Sequence, residues 1–262
     1  MDQSEIKGII FDVDGVLEFR GQVYPGARET IERLRSKNIV LRFLTNSTLK
    51  SRRLCAESLK QKGIHVLDEE VITASYATAR YLEELKPRSC WVLLEREGLE
   101  EFAALEQDTV NPEYIVVGDC RDGFNFQNMN RALRLLLNGA KLIGMQSELT
   151  DTSIGDAELN VGSWVGMLER ASGVEVAYVG KPNRYAFELT LRTMGLSREN
   201  VVMVGDKVST DVAGAKNVGL RVALLRTGEF SEQDLEAIES PDYVFGSIAD
   251  VPLLLGKSLD PV

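Results

Sequence analysis

Along most of the chain, short apolar runs alternate with stretches whose apolar residues recur at helical spacing. The first run is Ile6 to Phe11, and the second is Ile39 to Leu44. Between them Ala27, Ile31 and Leu34 share one face of a helix expected from about Ala27 to Lys37. SRRLCAESLKQKG reads as a helix closed by Gly63, and Val71 to Leu85 begins as a strand and turns helical before Pro87. The rhythm then restarts from about Arg88 to Ala177. CWVLLE, EYIVVG and KLIGM read as strands, and EGLEEFAAL, FQNMNRALRLLLNG and SWVGMLERASG as helices. The first rhythm resumes with VEVAYVG, the helix PNRYAFELTLRTMG, the strand NVVMVG, the helix DVAGAKNVG and the strand RVALL. Pro182 suits a first helical turn and Gly195 a helix end.

Alternation of this kind predicts an α/β protein built on parallel sheet. The restart in the middle predicts an α/β unit inserted into the first. The boundaries read as 1–77 plus 179–262 for the outer unit and 78–178 for the insertion. No repeat, low-complexity stretch or Pro/Gly/Ser-rich linker interrupts the pattern.

Composition narrows the chemistry. The 262 residues are 44% apolar and 27% charged, which suits a folded chain and not a disordered one. Forty acids against thirty bases give a formal charge of −10, which argues against nucleic acid or anionic membrane as the main partner. No uncharged run is long enough for a membrane helix, and the start MDQSEIKGIIF does not read as a signal peptide. Cys55, Cys90 and Cys120 form no close pair, so a reduced, cytoplasmic setting is expected. His65 is the single histidine, which excludes multi-histidine zinc and iron sites. Chemistry in this chain therefore falls to carboxylates, hydroxyls, lysine and a metal.

Four polar clusters each follow an apolar run: Asp12-Val13-Asp14-Gly15, Thr45-Asn46-Ser47-Thr48, Gly180-Lys181-Pro182, and Gly205-Asp206 with Asp211. Each alone could be a turn or a helix cap. In an open parallel sheet, however, ligands bind beyond the carboxyl ends of the strands, where four such clusters can meet. Their joint chemistry is phosphoryl transfer. Asp12, Asp206 and the carbonyl of Asp14 offer hard oxygen ligands, few enough to suit Mg²⁺. Asp12 can attack phosphorus, and Asp14 can protonate the leaving oxygen and then activate water. In an extended strand Asp12 and Asp14 would share one face while Val13 meets the core. Thr45, Asn46 and nearby backbone N–H groups can hold phosphoryl oxygens, and Lys181 supplies positive charge. Asp211 would orient Lys181 or a metal-bound water from behind.

With these residues in place, the chain resembles the haloacid dehalogenase superfamily of phosphatases. FDVDGVL is similar to its nucleophile motif, FLTNST to its second motif, GKP to its lysine motif and VGDKVSTD to its acidic motif. The inserted unit resembles the α/β cap of subfamily IIA, the NagD-like and p-nitrophenyl phosphatase group. The resemblance implies a Rossmann-like parallel-sheet core carrying that cap. It implies Asp12 as nucleophile, Asp14 as acid and base, and Thr45 and Lys181 on phosphate, with Asp206 completing a Mg²⁺ site. Many relatives carry Thr-Asn-Pro-Asp in the cap where this chain reads Met145-Gln146-Ser147-Glu148. The stretch that follows, ELTDTSIGDAELN, is acidic. Glu148 and Asp151 within it are candidates for selecting substrate, against the alternative of a solvated surface loop.

The expected activity is hydrolysis of small phosphorylated metabolites, with pyrophosphate and phosphoamides as variants of the same chemistry. Two other readings use the same residues: a phosphoryl-accepting switch, and a binding protein idle in catalysis. A switch should lack Asp14 beside its acceptor and needs no cap. The intact polar set argues against the idle reading. A homodimer is compatible with the sequence, which does not select it.

Overall fold

The computed structural model describes residues 5–152, 155–233 and 240–256. Its elements follow in chain order. Strand β1 (Gly8–Phe11) leads into a small hairpin of β2 (Glu18–Phe19) and β3 (Gln22–Val23). Next come α1 (Ala27–Ser36), β4 (Val40–Thr45), α2 (Arg52–Gln61), β5 (Val71–Thr73) and α3 (Ala74–Leu85). The middle of the chain holds β6 (Cys90–Leu93), β7 (Tyr114–Val117), α4 (Phe126–Leu137) and β8 (Lys141–Gly144). A short ladder of β9 (Thr150–Asp151) and β10 (Glu158–Leu159) precedes α5 (Val161–Ser172) and β11 (Val176–Tyr178). The chain closes with α6 (Arg184–Met194), β12 (Val201–Gly205), α7 (Ala213–Asn217), β13 (Arg221–Leu225) and β14 (Tyr243–Phe245).

The chain forms two compact units. One comprises residues 1–45, 55–72 and 181–262, and the other 46–54 and 73–180. The first is built on a sheet ordered β14-β13-β12-β1-β4-β5. From β14 to β4 its neighbours run parallel. Strand β1 is buried along its whole length, as a central parallel strand covered on both faces must be. That is why GIIF reads as an unbroken apolar run. Helix α1 buries Ala27, Thr30, Ile31 and Leu34, one turn apart on one face, in a core with Ile9, Phe11, Leu41 and Val204. The chain moves outward from β1 through β4 to β5, then returns to β12 on the other side of β1. This reversal is the switch point where strand-end loops diverge and leave a crevice.

The second unit is a sheet ordered β11-β8-β7-β6, with every neighbouring pair parallel. Helices α4 and α5 pack on it around Trp91, Ile115, Leu142, Val165 and Leu168. Asn125 and Asn160 begin these helices by accepting backbone N–H bonds from Asn128 and Val161.

Several sequence expectations are revised. VEVAYVG does not reopen the first unit, because Val176, Ala177 and Tyr178 pair with Leu142, Ile143 and Gly144 in the second sheet. Residues 46–54 and 73–77 also sort with the insertion, and backbone bonds explain why. Ala74 N–H donates to Ser47 O at 3.1 Å, and Gly98 N–H to Leu49 O at 3.0 Å. The helix expected over EGLEEFAAL is a run of 3₁₀ turns, Arg96–Phe102. Gly98 packs closely there: a Cβ would lie 1.9 Å from the Thr48 carbonyl oxygen, and its N–H donates to Leu49 O. DVAGAKNVG opens on a wide π-type turn, Val208–Val212, before α7. Pro182 lies ahead of the α6 cap residue Asn183, while Gly195 ends that helix in the left-handed region at φ 63°.

Candidate active site

The site lies within the first unit at the carboxyl ends of its central strands. Strand β1 ends at Phe11, and Asp12 continues its ladder by donating its N–H to Val204 O at 2.8 Å. The chain then bends. Val13 turns into the core, as expected. Asp14 is exposed in a turn that pairs it with Glu18, so it does not share a strand face with Asp12. The strand is too short to carry the two-residue period that far.

Lys181 is the electrostatic centre of the site. It is buried, and its Nζ lies 2.7 Å from Asp12 Oδ1 and 2.7 Å from Asp211 Oδ1. Burial opposes its charge, yet the two carboxylates hold the ammonium protonated above the usual lysine range. Asp12 Oδ1 also accepts from Val13 N–H at 2.7 Å. Burial and then the repulsion of Asp211 push the Asp12 carboxyl well above the usual carboxylate range, with Lys181 opposing them. The same two causes lift Asp206 to about 7.

The carboxylates of Asp12, Asp206 and Asp211 come within 4.8 Å of one another, all buried. Three acids around one buried lysine leave the cluster short of positive charge, and hard oxygen donors of this kind fit a divalent cation. Asp211 is the least available of the three. Its Oδ1 accepts from Lys181, and its Oδ2 accepts from Lys207 N–H at 3.2 Å. Asp14 is not among the clustered carboxylates, which leaves its main-chain carbonyl as the group it can offer a cation.

Glycines make the close approach feasible. Gly15 has φ +83°, and a Cβ there would lie 2.1 Å from Asp206 Oδ2. A Cβ on Gly228 would lie 2.0 Å from the same oxygen. The segment Thr227-Gly228-Glu229, just after β13, is not among the candidate site residues read from the sequence, although it takes part in the site. Thr227 Oγ1 donates to Gly15 O at 2.6 Å, Gly228 N–H to Tyr24 Oη at 2.9 Å, and Glu229 N–H to Asp206 Oδ2 at 2.7 Å. The strand-end rule that selected the other clusters applies equally to the residues after RVALL, and would have found it.

Thr45 is buried at the end of β4 in the first unit. Asn46, one residue on, sorts with the second unit, where its Nδ2 donates to Glu148 Oε2 at 3.1 Å. Glu148 is further held by donating its N–H to Gln146 Oε1 at 2.6 Å. Asp151 pairs with Glu158 across the β9–β10 ladder, and Arg121 reaches Glu158 at 3.3 Å. The acidic stretch is therefore partly neutralised. Its residues 153–154 lie outside the described residues.

A family model described as haloacid dehalogenase-like hydrolase matches residues 9–107, and a HAD-hydrolase-like model matches residues 178–251. The haloacid dehalogenase-like hydrolase domain-containing protein 2 of Mus musculus is 34% identical over 239 residues, 91% of each chain. The phospholysine phosphohistidine inorganic pyrophosphate phosphatase of Rattus norvegicus is 33% identical over 263 residues, 96% of this chain and 95% of that one. Among solved structures, 4-nitrophenylphosphatase from Thermotoga maritima superposes with a TM-score of 0.90 at 27% identity, covering 95% of this chain and 97% of that one. Strand order, strand-end carboxylates, buried lysine and relatives agree, and the chain belongs to the haloacid dehalogenase-like hydrolases, within the phosphatases of subfamily IIA.

Proposed function

We propose that this protein hydrolyses small phosphomonoesters with Mg²⁺, through an aspartyl-phosphate on Asp12. One observation carries the reading: Lys181 is clamped at 2.7 Å between Asp12 and Asp211, beside a buried cluster of three carboxylates. The clamp fixes Asp12 Oδ1 and leaves Oδ2 with no hydrogen bond among the described residues, as a nucleophile requires. Asp12 Oδ2 attacks phosphorus and the ester oxygen leaves, taking a proton from the carboxyl of Asp14. Asp14, now a carboxylate, accepts a proton from the water that displaces phosphate from Asp12. The exposure of Asp14 suits this work, because it exchanges protons with solvent between the two steps. Thr45 and Lys181 hold the phosphoryl oxygens, with Asn46 a weaker candidate because its amide is engaged by Glu148. Mg²⁺, when bound by Asp12, Asp206 and the Asp14 carbonyl, supplies positive charge that offsets the carboxylates and the phosphoryl group.

The substrate class is a small phosphorylated metabolite. The net charge of −10 supports the exclusion of nucleic acid. Similarity to an enzyme named for phospholysine, phosphohistidine and pyrophosphate makes P–N and P–O–P bonds the first variants to assay. Purified protein is assayed on p-nitrophenyl phosphate, alkyl phosphates, pyrophosphate and a phosphoamide, with Mg²⁺, Ca²⁺ or EDTA. Mg²⁺ should support turnover, Ca²⁺ poorly, and EDTA should abolish it. Acid quenching with labelled substrate should trap label on Asp12. Full turnover in excess chelator, or label elsewhere, overturns the reading.

A further inference from the structure

Lys207 follows Asp206 in the chain, and its Nζ lies 2.5 Å from Glu229 Oε2. The N–H of Glu229 donates to Asp206 Oδ2 at 2.7 Å. These links close a ring: the peptide bond from Asp206 to Lys207, the side-chain ion pair from Lys207 to Glu229, and the hydrogen bond from Glu229 back to Asp206. The ring joins the loop after β12 to the loop after β13. Lys207 also donates its backbone N–H to Asp211 Oδ2 at 3.2 Å. Gly15 and Gly228 leave room for the same Asp206 oxygen, which a Cβ on either would meet at 2.1 or 2.0 Å.

We infer that the Lys207–Glu229 pair is a positioning device for Asp206, and through it sets the affinity of the site for a divalent cation. The inference rests on the cation reading of the carboxylate cluster proposed above. The ion pair anchors the turn whose N–H occupies Asp206 Oδ2. That leaves Oδ1 as the oxygen available to the cation. Partners that orient a metal ligand in this way strongly affect metal affinity without touching the metal.

Two physical accounts give opposite signs for one variant, which makes the inference testable. If the pair acted only through its charges, removing the cationic Lys207 would tighten cation binding and removing the anionic Glu229 would weaken it. Positioning predicts that both losses weaken binding, because either one frees the turn. Mg²⁺ and Mn²⁺ binding is measured by calorimetry on the intact protein without substrate, for wild type, Lys207→Met, Glu229→Gln, Lys207→Arg and the exchange Lys207→Glu with Glu229→Lys. Both single losses should raise the Kd by roughly 10-fold. Lys207→Arg should stay near wild type, and the exchange should recover most of the affinity. At saturating Mg²⁺, KM for p-nitrophenyl phosphate should change little. Thermal melts confirm folding, and the arginine and exchange variants keep the test open if a single loss fails to fold. Lys207→Met binding as tightly as wild type, or an exchange no better than the single losses, overturns the positioning role. Absence of cation binding in the wild type would instead sink the site reading beneath it.

Discussion

Gly15 leaves the space that the Asp206 carboxylate fills: a Cβ on Gly15 would stand 2.1 Å from Asp206 Oδ2. The residue is also at φ +83°, a region that L side chains rarely adopt. The glycine of the first motif thus serves the acid of the last.

Gly15→Ala should therefore be damaging for two separate reasons. Backbone strain of about 1–3 kcal/mol adds to the displacement of Asp206. Urea unfolding should show the stability loss, and calorimetry should show weakened Mg²⁺ binding. A variant with unchanged stability and unchanged Mg²⁺ affinity would contradict the packing described here.

Asp12→Asn is nearly isosteric and keeps an oxygen for Lys181, but removes the nucleophile and an anionic ligand. The protein should fold and lose at least ~10³-fold in turnover, about 4 kcal/mol of barrier. The measurement is kcat on p-nitrophenyl phosphate with circular dichroism as the folding control. Near-normal phosphate release from folded protein removes Asp12 from the nucleophile role.

Asp14→Asn should discriminate between leaving groups. A basic alkoxide needs the proton that Asp14 supplies, whereas p-nitrophenolate hardly does. The ratio of kcat/KM for alkyl against p-nitrophenyl phosphate should fall well below the wild-type ratio. Equal losses on both substrates would count against the acid.

Lys181→Met leaves Asp12 and Asp211 facing one another in a buried site. Breaking a buried ion pair from one side costs about 3–5 kcal/mol. Chemical denaturation in EDTA should show a loss of that order, and phosphatase activity should vanish with it. A variant of wild-type stability would mean that water or a proton replaces the ammonium without difficulty.

The acids of the second unit separate two readings of that surface. If Glu148 and Asp151 select substrate, replacing them with Gln and Asn should raise kcat/KM for bisphosphates relative to neutral or amine-bearing phosphoesters. Salt should mask part of the difference. Glu148 also accepts a hydrogen bond from Asn46, so its replacement should carry the larger effect. An unchanged substrate ranking in folded protein assigns these acids to the solvated surface.

The α/β architecture and the strand-end clusters are legible in the sequence alone. A central parallel strand is mostly apolar because both of its faces are covered, so β1 and β12, and β4 apart from Arg42, are legible as runs, and the polar residues that end them as site candidates. How those residues are arranged around one another depends on the fold. Asp14 lies exposed in the turn beyond β1, and Asp211 meets Lys181 from a π-type turn. VEVAYVG joins the second sheet by backbone pairing with β8, which its own apolar pattern could not reveal. The segment after β13 joins Gly15 through Thr227, Tyr24 through Gly228 and Asp206 through Glu229, and the first two links span more than two hundred residues of chain. It uses the Thr227 hydroxyl and the backbone N–H groups of Gly228 and Glu229, and only the sheet order that places β12 between β1 and β13 makes them neighbours of the site.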